Sequence, residues 1–277
     1  MRGWLPLAAA FGLALSGAGH AAPSRVVSMN LCTDQLALML AAPGQLVSVS
    51  VFAKQPQTSV MAEAAQAYPN NHGLAEEIYL LNPDLVVTGQ FTGQDTVSML
   101  RRLGVPVVTM APAYSLNDIR DRITEMGQHL GREETAAEIV AQFDADLTAL
   151  TADSPDERPR AAVYTAQGYT PGPNSLSGAM LEAAGFDNLA TELGLSVGGR
   201  IPLEQLVMLD PDLVVLPTPW PGASRAEDIL THPVLKKLQA RAGTAPLADR
   251  DWVCGTPHVL RAIAGLVAAR KTLEDAQ

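Results

Sequence analysis

The chain has 277 residues, a formal net charge of −10 and two cysteines. Such acidity argues against nucleic acid or an anionic membrane surface as partner, and two thiols do not make a disulfide scaffold. Without the N-terminal segment described next, about 255 residues remain, enough for one large domain or two ordinary lobes.

The opening "MRGWLPLAAAFGLALSGAGHAAP" places Arg2 before an apolar core that ends in small residues. That is the layout of a secretory signal peptide, and its apolar core is too short for a membrane-spanning helix. Cleavage after Ala21 or Ala22 is expected, so residues 1–22 are read as the signal and the mature protein as soluble, exported and periplasmic. No cysteine directly follows the apolar core, which argues against a lipid anchor.

From there, short β-branched runs alternate with helical patterns, the signature of an α/β fold with largely parallel strands. "RVVSMN" predicts a strand, and "TDQLALMLAA" a helix that stops at Pro43-Gly44, with Thr33 or Asp34 as its cap. "QLVSVS" predicts a second strand. In "GLAEEIYLLNPDLVVTG" a helix is expected over Leu74–Leu81, a stop at Pro83 and a buried strand over Asp84–Val87. "DTVSMLRRLGVPVVTM" repeats the logic, with Gly104 as helix stop.

A long helical stretch follows. Ser115 caps a helix ending near Gly131, and from Arg132 to Ala152 the residues Ala136, Val140, Phe143, Leu147 and Leu150 form one apolar stripe. A helix of that length, roughly 30 Å, can lie across two lobes and resist their bending. "TADSPDERPR" then reads as a linker. In the second half "RAAVYTAQG" is a strand, "SLSGAMLEAAG" a helix closed by Gly185, and "RIPLEQLVMLDPDLVVLP" a helix followed by a strand. The string "PDLVV" occurs at Pro83–Val87 and again at Pro211–Val215, and seven residues before each proline stands a glutamate, Glu76 or Glu204. The expected fold class is therefore α/β: two small α/β lobes with parallel central sheets, joined by one long α-helix. Residues 23–115 form the N-terminal lobe, 116–153 the connecting helices and 160–277 the C-terminal lobe.

A signal peptide, two lobes with matched "E…PDLVV" and one joining helix together resemble the helical-hinge periplasmic substrate-binding proteins. These serve ABC importers for vitamin B12, ferric siderophores and haem. "NHGLAEEIYLLNPDLVVTG" is similar to the family's most recognisable signature and "DWVCGTPHVLRAIAGL" to its last loop and helix. The resemblance implies capture of a metal chelate in a cleft between the lobes and delivery to a permease dimer of an ABC importer, by a monomer without catalytic activity. It also implies that Glu76 and Glu204 dock onto permease arginines. A carboxylate in a helix's first turn is favoured by the helix dipole and pairs with arginine in a defined orientation. Glu77, whose counterpart is Gln205, reads as a solvated face.

In a two-lobed α/β protein the ligand lies where the carboxyl ends of strands from both lobes face each other. The loops there supply Leu31, Cys32, Phe52, His72, Tyr169, Arg200 and Trp252 as expected ligand contacts. Aromatic faces with a few polar groups suit a flat macrocycle or chelate. His72 or Tyr169 can ligate an iron or cobalt centre within such a ligand, and His258 stands at a helix start. No resident cofactor is expected, since spacing typical of a bare zinc site is missing and so are nucleotide-binding glycine motifs. Where B12 binders of this family carry cleft tryptophans, this chain has Asn70 and Gly198, so ferric siderophore and corrinoid both stand, with haem as alternative.

Cys32, at a helix N-terminus, leaves open a cysteine-dependent enzyme with His72 or His258 as base. A bridge from Cys32 to Cys254 would close a loop of more than ~200 residues and staple the cleft. Stapling conflicts with taking ligand up and releasing it, so a soft lining or a redox-dependent contact is the expectation.

Overall fold

The computed structural model describes residues 21–218 and 224–275, and most of the expected signal peptide, residues 1–20, lies outside them. In the first lobe the order is β1 (Val26–Ser28), α1 (Leu31–Leu40), β2 (Leu46–Ser50), α2 (Ala62–Ala65), β3 (Asn70–Asn71), α3 (Ala75–Leu80), β4 (Leu85–Gly89), α4 (Gln94–Arg102) and β5 (Val107–Met110). Its five strands pair in parallel in the order β3-β2-β1-β4-β5, because each strand returns to the sheet through a crossover.

Two helices then join the lobes, α5 (Leu116–Leu130) and α6 (Glu133–Leu150). Ser115 starts α5 with a reciprocal cap: its Oγ accepts the Asp118 N–H at 3.1 Å, and Asp118 Oδ2 accepts the Ser115 N–H at 2.9 Å. Ile119, Ile123, Met126 and Leu130, spaced four, three and four residues apart, form the buried stripe of α5. Gly131 closes it in the left-handed region, and α6 runs back along α5.

The second lobe contains β6 (Arg160–Val163), β7 (Tyr169–Pro171), α7 (Leu176–Ala183), β8 (Asp187–Asn188), β9 (Gly198–Arg200), α8 (Leu203–Leu209), β10 (Leu213–Pro217), α9 (Pro233–Arg241), β11 (Gly243–Leu247) and α10 (Val259–Asp275). Four strands form a parallel sheet ordered β11-β10-β6-β8, while β7 and β9 form a separate antiparallel ribbon. The ribbon is absent from the sequence expectations. Its three-residue strands, Tyr-Thr-Pro and Gly-Gly-Arg, carry none of the β-branched runs that mark the central strands.

The internal repeat extends beyond the shared string. Just ahead of β1 the Arg25 N–H donates to Asp84 Oδ1 at 2.9 Å; at the first residue of β6 the Arg160 N–H donates to Asp212 Oδ2 at 2.7 Å. Arg25 Nε also reaches the Asn82 carbonyl at 3.0 Å, and Arg160 Nη1 reaches the Asp210 carbonyl at 3.2 Å. Asn82 (φ 50°) and Asp210 (φ 48°) both end their helices in the left-handed region that Asn and Asp tolerate. Each "E…PD" helix is thus tied at its C-terminal end to the start of its lobe's central strand.

One apolar cluster runs without interruption from Val26, Leu36 and Val87 of the first lobe, through Ile119, Ile123 and Phe143 of the connecting helices, to Val163, Val215 and Ile263 of the second. The two lobes share this core, so a hinge motion would have to shear close-packed side chains.

Candidate functional site: the floor and walls of the interlobe cleft

Chain direction decides what reaches the cleft floor. The first strand ends at Ser28, and Asn30 caps α1: its Oδ1 accepts the N–H groups of Cys32 at 3.0 Å and Thr33 at 3.4 Å. This corrects the expectation that Thr33 or Asp34 is the cap. Both are buried, and the Thr33 hydroxyl donates to the Asn30 carbonyl at 3.0 Å.

Cys32 stands in the first turn and is disulfide-bonded to Cys254 of the second lobe, with the two Cα atoms 5.1 Å apart. The expectation of a soft lining or a redox-dependent contact is therefore corrected, and a Cys32 nucleophile is incompatible with this bonded state. The physical reason lies in where the bond sits. Gly255, next to Cys254, approaches the start of the connecting helices so closely that a Cβ there would lie 2.2 Å from the Ala113 Cβ. The bridge thus sits at the hinge side of the cleft, against the segment that leads into α5.

Beside the bridge is a cavity of about 160 Å³ lined by Asn30, Cys32, Phe91, Thr92, Arg122 and Val253, among others. Phe91 (71% exposed) and Val253 (47%) present apolar surface there. Neither was expected from the sequence. Phe91 follows the carboxyl end of β4, so applying the strand-end rule to that strand as well as to β1 and β2 would have found it.

Under the floor lies a buried polar group centred on Asp34. Its carboxylate accepts the Ser50 hydroxyl at 2.5 Å and the Ser50 N–H at 3.1 Å. Burial pushes the Asp34 carboxyl up to about 6, against the opposing pull of hydrogen bonds from Ser50 and Ser28. Asn71 closes the group from β3, its Nδ2 donating to the Ser28 carbonyl and to Ser48 Oγ, both at 2.9 Å.

On the second lobe Tyr169 and Arg200 are register partners in the β7–β9 ribbon, so the structure brings these two expected contacts together. Arg200 donates to the Gln167 side-chain carbonyl, which fixes its guanidinium beside the ribbon. Gly198 in the same ribbon has φ 136°, and a Cβ there would fall 2.7 Å from the Tyr169 hydroxyl. Only glycine fits that backbone comfortably. Trp252 is half-buried with its ring against the shared core, and its Nε1–H finds no acceptor among the described residues. His258 is held below its ordinary pKa by burial and by the Arg261 charge, with Asp251 pulling the other way, so its imidazole is neutral at pH 7.

In the first lobe, Leu31 is half-buried at the first position of α1, and Phe52 is exposed immediately after β2. His72 is exposed and engaged by Glu77, whose Oε2 accepts the His72 N–H at 2.8 Å while Oε1 lies 3.1 Å from Nδ1. Glu77 is thus a half-buried clamp on the His72 turn, correcting its reading as a solvated face. Among the described residues no group of three His, Cys, Asp or Glu side chains is placed to hold a metal ion. Glu76 and Glu204 are both exposed, each at the second residue of its helix, α3 or α8.

Two parallel α/β lobes on a shared core, with the loops after β1, β4 and β5 meeting the loop after β11 beside the disulfide, define the class of two-lobed binding proteins. The chain belongs to the family described as Periplasmic binding protein, whose profile matches residues 26–243. It is 29% identical over 197 residues to a cobalamin-binding protein of Halobacterium salinarum, a match covering 70% of this chain and 53% of that protein. It is 30% identical over 127 residues to the ferric enterobactin-binding periplasmic protein FepB of Escherichia coli, covering 44% of this chain and 40% of that one. The chain thus spans about half the length of the curated relatives it matches. Among solved structures, the haem-binding protein RhuT of Roseiflexus superposes with a TM-score of 0.74 at 22% identity, covering 90% of this chain and 98% of that one. The vitamin B12-binding protein BtuF of Vibrio cholerae gives a TM-score of 0.65 at 18% identity, covering 91% and 98%. At these identities the superpositions establish the fold, and the matched relatives are binding proteins by name.

Proposed function

We propose that this chain is the periplasmic substrate-capturing component of an ABC importer, carrying a metal chelate in the cleft between its lobes. The observation that carries this reading is the cavity where loops after β1, β4 and β5 of the first lobe meet the Val253–Gly255 loop of the second, cross-linked by Cys32–Cys254 and lined by exposed Phe91 and Val253. In this reading residues 1–22 direct export and are removed, residues 23–115 and 160–277 are the two lobes, and residues 116–153 join them. The protein works as a monomer and docks on the permease dimer through Glu76 and Glu204.

The cargo class is a corrinoid or ferric siderophore, with the corrinoid first. Among the described residues that line the cavity, the one cation is Arg122, and its ion pair with Glu125 at 3.0 Å leaves little positive charge there for an anionic chelate. The cobalamin-binding relative supports the same order. Leu31, Phe52, His72, Tyr169, Arg200 and Trp252 are the contacts proposed for the cargo, with the Cys32 bridge as floor and Phe91 and Val253 added from the cavity lining.

Titration of the secreted protein with cyanocobalamin, haemin and a ferric hydroxamate, followed by intrinsic fluorescence, tests the reading. Micromolar or tighter binding of the corrinoid is expected, and binding of all three no better than about millimolar would overturn it.

A further inference from the structure

The two most exposed large hydrophobic side chains among the described residues are Leu80, 83% exposed, and Met208, 84% exposed. Isolated exposed leucines are ordinary on protein surfaces and need no explanation. These two are not independent. Leu80 stands four residues after Glu76 and Met208 four residues after Glu204, so each lies one turn along the same helix face as its lobe's glutamate. Each helix buries the opposite side, Ala75 and Ile78 in α3, Leu203 and Leu206 in α8. Each is also tied at its C-terminal end by an arginine, Arg25 or Arg160. A helix with one face packed and its end hydrogen-bonded presents the other face in a fixed orientation.

We infer that Leu80 and Met208 are the apolar half of a two-point docking surface, in which each lobe offers an acid and an apolar side chain one turn apart to a two-fold permease dimer. The inference rests on the proposed importer reading and deepens it. The occupant is fixed by the chemistry: each permease subunit would supply a cation for the glutamate and an apolar recess beside it. The duplication within one chain matches a partner with two equivalent subunits, because a single repeated surface then serves both. An acid alone gives orientation and a fast encounter, whereas an apolar side chain that becomes desolvated supplies contact that salt does not screen.

The test uses the full secreted chain with its disulfide intact, and the same organism's corrinoid, haem and ferric-siderophore ABC permeases, each purified in lipid nanodiscs. Affinity is measured at about 0.15 M and about 1 M salt. Wild type is expected to bind one permease, losing affinity with salt down to a plateau. Glu76→Arg with Glu204→Arg is expected to abolish binding at low salt. Leu80→Ser with Met208→Ser is expected to weaken binding at least about tenfold and to remove the high-salt plateau, with an unchanged thermal midpoint. If the glutamate reversals abolish binding while the serine pair stays within about twofold of wild type at both salts, the inference falls and the importer reading stands. If neither pair alters binding, or wild type binds none of the three, both fall together.

Discussion

Cys32 and Cys254, 222 residues apart in sequence, join the first turn of α1 to the loop after β11, so the disulfide closes most of the chain into one loop. In the chain-entropy picture such a loop restricts the unfolded state by about 5 kcal/mol. Cys32→Ser with Cys254→Ser is expected to lower unfolding stability by about 2–5 kcal/mol in urea. The intact wild-type mass should be lower by two hydrogens and should not change on alkylation without reductant. A wild-type protein that labels fully without reductant would contradict the bridge.

Asp34 makes stability depend on pH in an unusual direction for an acid. Its folded carboxyl titrates at about 6, above the 3.8 of a free aspartate, so the folded state holds a proton that the unfolded chain has released. That contribution is complete below about pH 4 and is lost as pH rises through 6. Asp34→Asn cannot titrate, so its stability relative to wild type should rise by on the order of 2 kcal/mol between pH 4 and 7. Parallel urea titrations across that range measure it, and a constant difference would show that Asp34 is not buried with a proton.

Gly198 sits where any side chain meets the Tyr169 hydroxyl and the Thr170 carbonyl, in a backbone conformation with φ 136°. Gly198→Ala is expected to cost about 1–3 kcal/mol of stability and to loosen the ribbon. Tyr169→Ala leaves the backbone unstrained and removes only the ring. It should weaken cargo binding by about 1 kcal/mol or more with little change in stability. A fluorescence titration and a thermal melt on each variant separate the two effects.

Arg25 donates to the Asn82 and Leu81 carbonyls at 3.0 and 2.7 Å, and Asp84 accepts both N–H groups of Ser24 and Arg25. Burial pushes the Asp84 carboxyl upward, but these N–H groups with the Ser24 hydroxyl outweigh it and hold the pKa below the usual value. Asp84→Ala should cost about 1 kcal/mol at pH 7, an effect that fades as pH falls through the folded pKa. Arg25→Ala should leave cargo affinity unchanged while weakening permease binding, since it frees the end of α3. Equal losses in both would place α3 in the cleft.

The frame of this protein is written plainly in its sequence because it is written twice. The Leu-Val-Val of each repeat, Leu85–Val87 and Leu213–Val215, lies in a strand that pairs in register with β1 or β6, and the acids before them land at the same helix position. Strand ends such as that of β1 therefore mark the cleft loops from the residue pattern alone. What escaped depends on contacts between distant segments. Asn30 caps α1 because its backbone is extended there (φ −145°), a choice that the nearby Asn30, Thr33 and Asp34 leave open in sequence. The disulfide follows from how the lobes dock, which the spacing of two cysteines does not encode. Glu77 and His72, five residues apart, meet through a turn at Gly73 and not through helical spacing.

In the importer reading, the shared apolar core beneath the cleft, together with the bridge at its hinge side, would make the protein a slot of fixed gauge rather than a jaw. A slot cannot report its contents by closing. A transporter that must tell a loaded carrier from an empty one would then have to read the rim of the cargo itself, between lobes whose docking points stay at constant spacing.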